Sequence, residues 1–309
     1  MKQRGFHPTE IIFAATNACN LHCEHCFIER NPHKLEIADA VALIESCVKS
    51  GSEIDRIGFS GGEPFLYMDF LIEVTKATVA HDLMFDQIMT NGDWWRNEVD
   101  LCDRLQKLYD AGYDGKIGLS WDSYHGQSTE RMETFIRTVQ EIFGEDSINI
   151  QTVDDSEEGS LPLARTSLLA TPSAGDTPAT PPDIPVYHLP RTYTSEDPRA
   201  WQAHRWFRED YCEGPGHILY VHADGNIAPC CGFANENPAL FIGRITDSYE
   251  TIMKNAETNP MLKICYEEGL SHHRKHGLKK TLRSQGKKLP GKCSDICSFC
   301  DYVCKIKNQ

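Results

Sequence analysis

The sequence predicts an α/β fold: a partial (β/α) barrel of about six units, followed by a small cysteine-rich domain with a β-hairpin. Two observations carry this. The first half of the chain alternates short apolar, β-branched runs with longer amphipathic stretches, and the last third replaces that rhythm with a hairpin signal and clustered cysteines. The expected division is a barrel over residues 1–210 and a cysteine-rich domain over 211–309.

In chain order, strands are predicted at 10–15, 56–59, 85–90, 116–120 and 148–153, with 184–189 as a sixth. Helical spacing marks 37–50, 69–81, 98–111 and 128–143, each long enough to cross over and return to the same side of a parallel sheet. Residues 154–183 break the rhythm with an acidic opening and a run rich in Pro, Thr, Ser and Ala. This segment reads as a mobile loop, either a disordered insertion or a cover for the barrel mouth. Further on, 217–222 and 227–229 flank Ala-Asp-Gly-Asn, a hairpin with its turn at Asp224 and Gly225.

Composition narrows the function. The 309 residues are 40% hydrophobic, enough for a substantial core, and 45 acidic against 31 basic residues give a formal charge of −14. That balance argues against a phosphate-backbone binder, so no nucleic-acid partner is expected. No run approaches the ~18 apolar residues of a membrane helix and the N-terminus is polar, so a soluble cytoplasmic protein with no membrane partner is expected. Eight Lys or Arg and no acid fall within 271–292, a solvated helix face or a dock for an acidic substrate segment.

Thirteen cysteines are more than packing requires. Cys47, Cys102 and Cys265 stand alone in helical patterns, and at least the first two read as small buried hydrophobes. Cys19, Cys23 and Cys26 follow directly on the first strand, where such barrels hold their cofactors. Three thiolates with His22 or His25 would close a tetrahedral zinc site; a four-iron cluster on three cysteines would instead keep one iron open.

At this point the sequence resembles the radical S-adenosylmethionine (SAM) enzymes. Their C-x3-C-x2-C motif is met by Cys19-Asn-Leu-His-Cys23-Glu-His-Cys26, and their Gly-Gly-Glu-Pro segment by Gly61-Gly62-Glu63-Pro64 after the second strand. The third strand ends in Thr90-Asn91-Gly92 and the fourth in Ser120-Trp121-Asp122, where the family commonly reads the methionyl and ribose groups of SAM. The resemblance, over about residues 10–153, implies a [4Fe-4S] cluster on Cys19, Cys23 and Cys26 whose fourth iron chelates SAM. It implies that Gly61, Gly62, Glu63 and Pro64 meet the SAM amino group, with Glu63 a charged acceptor. His25 would lie against the adenine, and Asn91, Ser120 and Asp122 would face the rest of SAM. One electron, from a flavodoxin- or ferredoxin-type donor, would release a 5′-deoxyadenosyl radical that removes hydrogen from an unactivated C–H bond.

Cys212, twelve residues, then Gly225-Asn-Ile-Ala-Pro-Cys230 resembles the opening of the auxiliary-cluster domains called SPASM and, in shortened form, twitch. The hairpin turn brings the two strand ends together, and Cys297-Ser-Phe-Cys300 supplies the closing pair. The resemblance implies one auxiliary [4Fe-4S] cluster on Cys212, Cys230, Cys297 and Cys300. Cys293 and Cys304 are left over for a second cluster or none, and a zinc ribbon from the same cysteines is the alternative.

Cys231 adjoins an expected ligand at a strand end, where alternation points it the other way. The run Pro229-Cys230-Cys231, the closing Ile296-Cys297 and the segment Ser120-Trp-Asp-Ser-Tyr-His125 resemble radical SAM peptide epimerases. In those enzymes a cysteine thiol returns hydrogen to the opposite face of a peptide α-carbon, and Cys231 takes that position. His217 departs from the pattern, standing where a carboxylate is expected. The first strand starts near residue 10, so no leader-binding domain is expected before the barrel; the barrel, 154–183 or 271–292 would recognise a ribosomally made peptide. Other readings are a small-molecule dehydrogenase or epimerase, a thioether-forming peptide maturase, and a zinc-binding interaction module.

Overall fold

The computed structural model describes residues 4–154 and 184–307. Its strands are β1 (Glu10–Ala14), β2 (Arg56–Ser60), β3 (Met84–Thr90), β4 (Lys116–Ser120), β5 (Ile148–Asp154), β6 (Val186–Pro190), β7 (Gly216–Val221), β8 (Asn226–Cys230) and β9 (Gly243–Arg244). The larger helices are α1 (Ile37–Lys49), α2 (Met68–Ala80), α3 (Glu98–Asp110), α4 (Thr129–Phe143) and α5 (Tyr249–Thr258), and a further helix, Ile296–Lys307, closes the chain. Two compact units result: Ala15–Lys34 with Ile57–Arg191, and Met1–Ala14 with Leu35–Arg56 and Thr192–Gln309. Apart from Asp154, which ends β5, the expected loop 154–183 lies outside the described residues.

In the first unit the strands run in the order β6-β5-β4-β3-β2, with β3, β4, β5 and β6 joined by parallel ladders. Ile57-Gly58-Phe59 and Ile117-Gly118-Leu119 are continuously buried, as parallel strands covered on both faces require. The helices cover them with one apolar face each: Phe70, Leu71 and Val74 on α2, Leu101, Leu105 and Leu108 on α3, and Met132, Phe135, Ile136 and Val139 on α4. Asn97 caps α3 by accepting the Asp100 N–H, and Ser128 caps α4 by accepting that of Arg131.

In the second unit β1 pairs in parallel with β7, from Glu10 opposite Ile218 to Phe13 opposite Val221. Strand β7 turns back antiparallel into β8 through Gly225, whose φ of 85° is the left-handed geometry expected of that turn. Strand β9 extends the ladder. Helix α1 buries Ala40, Leu43, Ile44 and Cys47, and its Ser46 hydroxyl accepts the Tyr249 N–H of α5 at 3.0 Å.

Cys47 is therefore a buried hydrophobe, as expected, but Cys102 is not. It is exposed, because the buried face of α3 is set by Leu101, Leu105 and Leu108, and Cys102 falls off it. Cys265 is buried in a π-helical turn, Lys263–Glu268, with other thiols around it. Among the described residues, no helix is long and apolar enough to cross a membrane.

Candidate functional site

The strands of the first unit deliver three turns to one cavity of about 260 Å³. Cys19, Cys23 and Cys26 line it, together with Gly61 and Gly62 after β2, Asn91 after β3 and Ser120 at the end of β4. His25 is there too, and so are Arg30 and His125.

Backbone pairing holds the cysteine loop against the β2 turn. Gly62 N–H donates to Thr16 O at 2.7 Å and Glu63 N–H to Ala18 O at 2.8 Å. A Cβ on Gly62 would stand 2.4 Å from Ala18 O, and one on Gly61 2.5 Å from Thr16 O. The close approach that these glycines permit is thus to the cysteine loop's own backbone. Asn91 then ties that loop to β3: its Nδ2 donates to Asn20 Oδ1 at 3.0 Å and to Cys19 Sγ at 3.7 Å. Leu21 N–H is a second donor to the Cys19 sulfur, at 3.4 Å.

Glu63 and Pro64 do not line the cavity. Glu63 is fully buried, and both carboxylate oxygens are engaged within the protein. Oε1 accepts from Phe65 N–H at 3.1 Å and from the Thr90 hydroxyl at 2.8 Å, and Oε2 accepts from Asn91 N–H at 2.9 Å. Burial pushes its pKa up to about 7, against the pull of those three donors. Pro64 is buried at the start of the short helix Pro64–Tyr67, where a missing N–H costs nothing. Asp122 also lies back from the cavity: Oδ1 holds His125 Nδ1 at 2.7 Å and accepts Tyr124 N–H, while Oδ2 accepts Val153 N–H. The dyad fixes the His125 ring, which lines the cavity, and His25 packs edge-on against it with centroids 5.0 Å apart.

Three contributors were not singled out from the sequence. His125 stands at the end of the segment Ser120-Trp-Asp-Ser-Tyr-His125, which by itself gives it no role. Gln127 Nε2 donates to Asn91 O and to Ser120 O, clamping the ends of β3 and β4. Arg30 sets a positive charge beside Cys19 and Cys23. Long side chains reaching in from loops leave no periodic signal, so spacing could not have found them.

The donor set fits an iron-sulfur group. Three soft thiols converge on one cavity; burial and their own mutual repulsion push Cys23 up to about 11, a conflict that a bound cation relieves. Two polar atoms, His25 Nδ1 and Arg30 Nε, are buried there with no hydrogen-bond partner among the described residues.

The second unit holds a nest of thiols. Cys212, Cys230 and Cys300 are buried and Cys297 nearly so; all four are close enough to perturb one another electrostatically. Burial pushes Cys212 up to about 12 and carries Cys230 and Cys297 higher. Glycine again makes room, since a Cβ on Gly232 would stand 2.6 Å from Cys297 Sγ. Cys231 is exposed, with its N–H on Pro215 O at 2.8 Å. Of the two leftover cysteines, Cys304 neighbours Cys300, while Cys293 turns its sulfur to Asp295 O at 3.0 Å. His217 has a left-handed φ of 60° and packs on Tyr266, with centroids 4.8 Å apart.

Residues 14–143 match the Radical SAM superfamily. The chain carries a radical SAM domain. Such a domain works with SAM and a [4Fe-4S] cluster, the group that the Cys19, Cys23 and Cys26 cavity fits. Over 304 residues the chain is 24% identical to the "Putative peptide biosynthesis protein YydG" of Bacillus subtilis, covering 91% of this chain and 88% of that one. It is 36% identical to the GTP 3',8-cyclase of Chlorobaculum tepidum over 115 residues, 36% of this chain and 32% of that one, so the shared part is short. Its fold is that of a solved structure, native anSMEcpe with bound AdoMet and Cp18Cys peptide, with a TM-score of 0.53 at 15% identity over 97% of this chain and 98% of that one.

Proposed function

We propose that this radical SAM protein epimerises residues of a ribosomally made peptide, with Cys231 as the hydrogen donor. The observation that carries the reading is the split between two neighbours at the end of β8. Cys230 is buried among the thiols of the second unit, and Cys231 is exposed. Similarity along nearly the whole chain to a protein described as acting in peptide biosynthesis supports a peptide substrate.

Cys19, Cys23 and Cys26 would hold the SAM-binding cluster, and Cys212, Cys230, Cys297 and Cys300 an auxiliary one. When bound, SAM and its cluster supply a radical able to take a hydrogen atom from a C–H bond. The chain's own residues do the rest. Gly61 and Gly62 keep the cysteine loop seated, and Asn91 orients the Cys19 sulfur. Asp122 holds the His125 ring toward the cavity, where it and His25 offer surfaces to a nucleoside. The Cys231 S–H bond then breaks homolytically and its hydrogen atom goes to the α-carbon from the opposite face. The sulfur returns to thiol by taking one electron and one proton from an external flavodoxin- or ferredoxin-type donor and water.

The test uses anaerobically reconstituted protein with SAM, a reductant and a panel of short peptides in deuterated water. Each epimerised residue gains one deuterium from the exchanged thiol, read by mass spectrometry, while 5′-deoxyadenosine accumulates. Cys231→Ala is expected to keep 5′-deoxyadenosine formation and to lose most of the deuterium incorporation. Unchanged incorporation in that variant would sink the assignment.

A further inference from the structure

We infer that Cys265 and Cys304 donate S–H hydrogen bonds to the Cys300 sulfur, and that they set the reduction potential of the auxiliary cluster without ligating it. The inference rests on the reading that Cys212, Cys230, Cys297 and Cys300 hold that cluster.

Cys265 Sγ stands 3.8 Å from Cys300 Sγ, both in buried surroundings. Cys265 is 3% exposed and Cys304 is fully buried, so neither thiol has water to turn to. Cys304 lies one helical turn beyond Cys300 on Ile296–Lys307, on the same face. Cys265 comes from the π-helical turn Lys263–Glu268, and its carbonyl accepts the Cys212 N–H at 3.1 Å. One short turn thus braces two expected ligands, Cys212 through backbone and Cys300 through sulfur.

Contact distance separates donors from ligands. Thiolates on different irons of one cluster sit at different corners, farther apart than two sulfurs in van der Waals contact, and four cysteines already satisfy a [4Fe-4S] group. A thiol held against a thiolate instead acts as a weak donor. With Cys300 a ligating thiolate, the outer two sulfurs keep their protons and donate to it. Reduction adds one negative charge to the cluster and its thiolates. Donors to a ligand sulfur favour that state and raise the potential.

The test uses the full chain with Cys19, Cys23 and Cys26 all changed to Ala, so that only auxiliary iron remains. Iron per chain and the midpoint of an EPR-monitored redox titration are measured for this parent and for Cys265→Ala, Cys265→Ser and Cys304→Ala in the same background. About four irons are expected in every variant. The midpoint should fall in Cys265→Ala and in Cys304→Ala and stay near the parent's in Cys265→Ser, whose hydroxyl still donates. Loss of iron from Cys265→Ala with iron retained in Cys304→Ala would make Cys265 a ligand and overturn the inference. An unmoved midpoint in both alanine variants, with iron kept, would overturn it equally. Should Cys265→Ala fail to fold, Cys304→Ala and Cys265→Ser still decide. A parent that binds no iron overturns the auxiliary-cluster reading itself, a result distinct from either.

Discussion

Glu63 carries the sharpest electrostatic conflict beside the cavity, since full burial favours its acid form and three donors favour its anion. Burial wins, and its pKa stands at about 7 in the folded protein against 4.5 unperturbed. Between those values the folded state holds a proton that the unfolded chain has released, so stability falls as pH rises from 4.5 to 7 and levels off above. The full effect is about 3 kcal/mol. Urea midpoints of wild type and Glu63→Gln from pH 4.5 to 8.5 check this: the stability of wild type relative to the variant should be greatest at pH 4.5 and fall toward pH 8. An advantage that grows with pH would mean that the donors win. At this scale the sequence marks Glu63 as an acceptor for the SAM amino group and gives no sign of its partners within the protein, because Thr90 lies 27 residues away on the next strand. The cysteine triplet was legible because its whole arrangement is local.

Elements matter here mainly through how their ends meet. The β2 turn and the cysteine loop are zipped by backbone bonds at Gly62 and Glu63, with no room for a Cβ at Gly62. Gly62→Ala must push the loop away, at a cost of about 1–3 kcal/mol. On the proposed two-cluster reading, iron at Cys19, Cys23 and Cys26 should then be lost while that on the second unit's cysteines is kept, so iron per chain falls from about eight to about four. Iron analysis of the two reconstituted proteins checks it, and a Gly62→Ala protein with full iron would show that the loop absorbs the clash. Strands β1 to β8 are legible in the sequence to within two residues and the two-residue β9 is not, because runs such as Ile117-Gly118-Leu119 are continuously buried and end at polar turns. Cys102 is exposed where burial is expected, because a helical period alone does not say which neighbour of Leu101 joins the buried face. Cys265 gave no sign of its surroundings because its π turn breaks the period that would have placed it.

At the scale of the whole molecule the sequence suggested a barrel followed by a separable cysteine-rich tail, but the compact unit that holds the second thiol nest draws on three stretches of chain. Strand β1 supplies the parallel partner for β7, and α1 meets α5 through Ser46 and Tyr249. Pairing across more than 200 residues leaves no trace in local patterning, since β1 reads equally well beside any parallel neighbour. The consequence is testable by truncation. A fragment of residues 211–309 keeps every cysteine of the nest, yet it exposes the β7 edge that Glu10–Ala14 covers and leaves α5 without α1. Unpaired backbone along four register positions and an uncovered apolar helix face outweigh the marginal stability of so short a chain. The fragment should therefore lack a cooperative thermal transition and fail to retain iron under conditions where the full chain with Cys19, Cys23 and Cys26 changed to Ala retains about four. Circular dichroism melts and iron analysis decide the matter: a fragment that melts cooperatively with its iron would mean that the nest folds without β1 and α1.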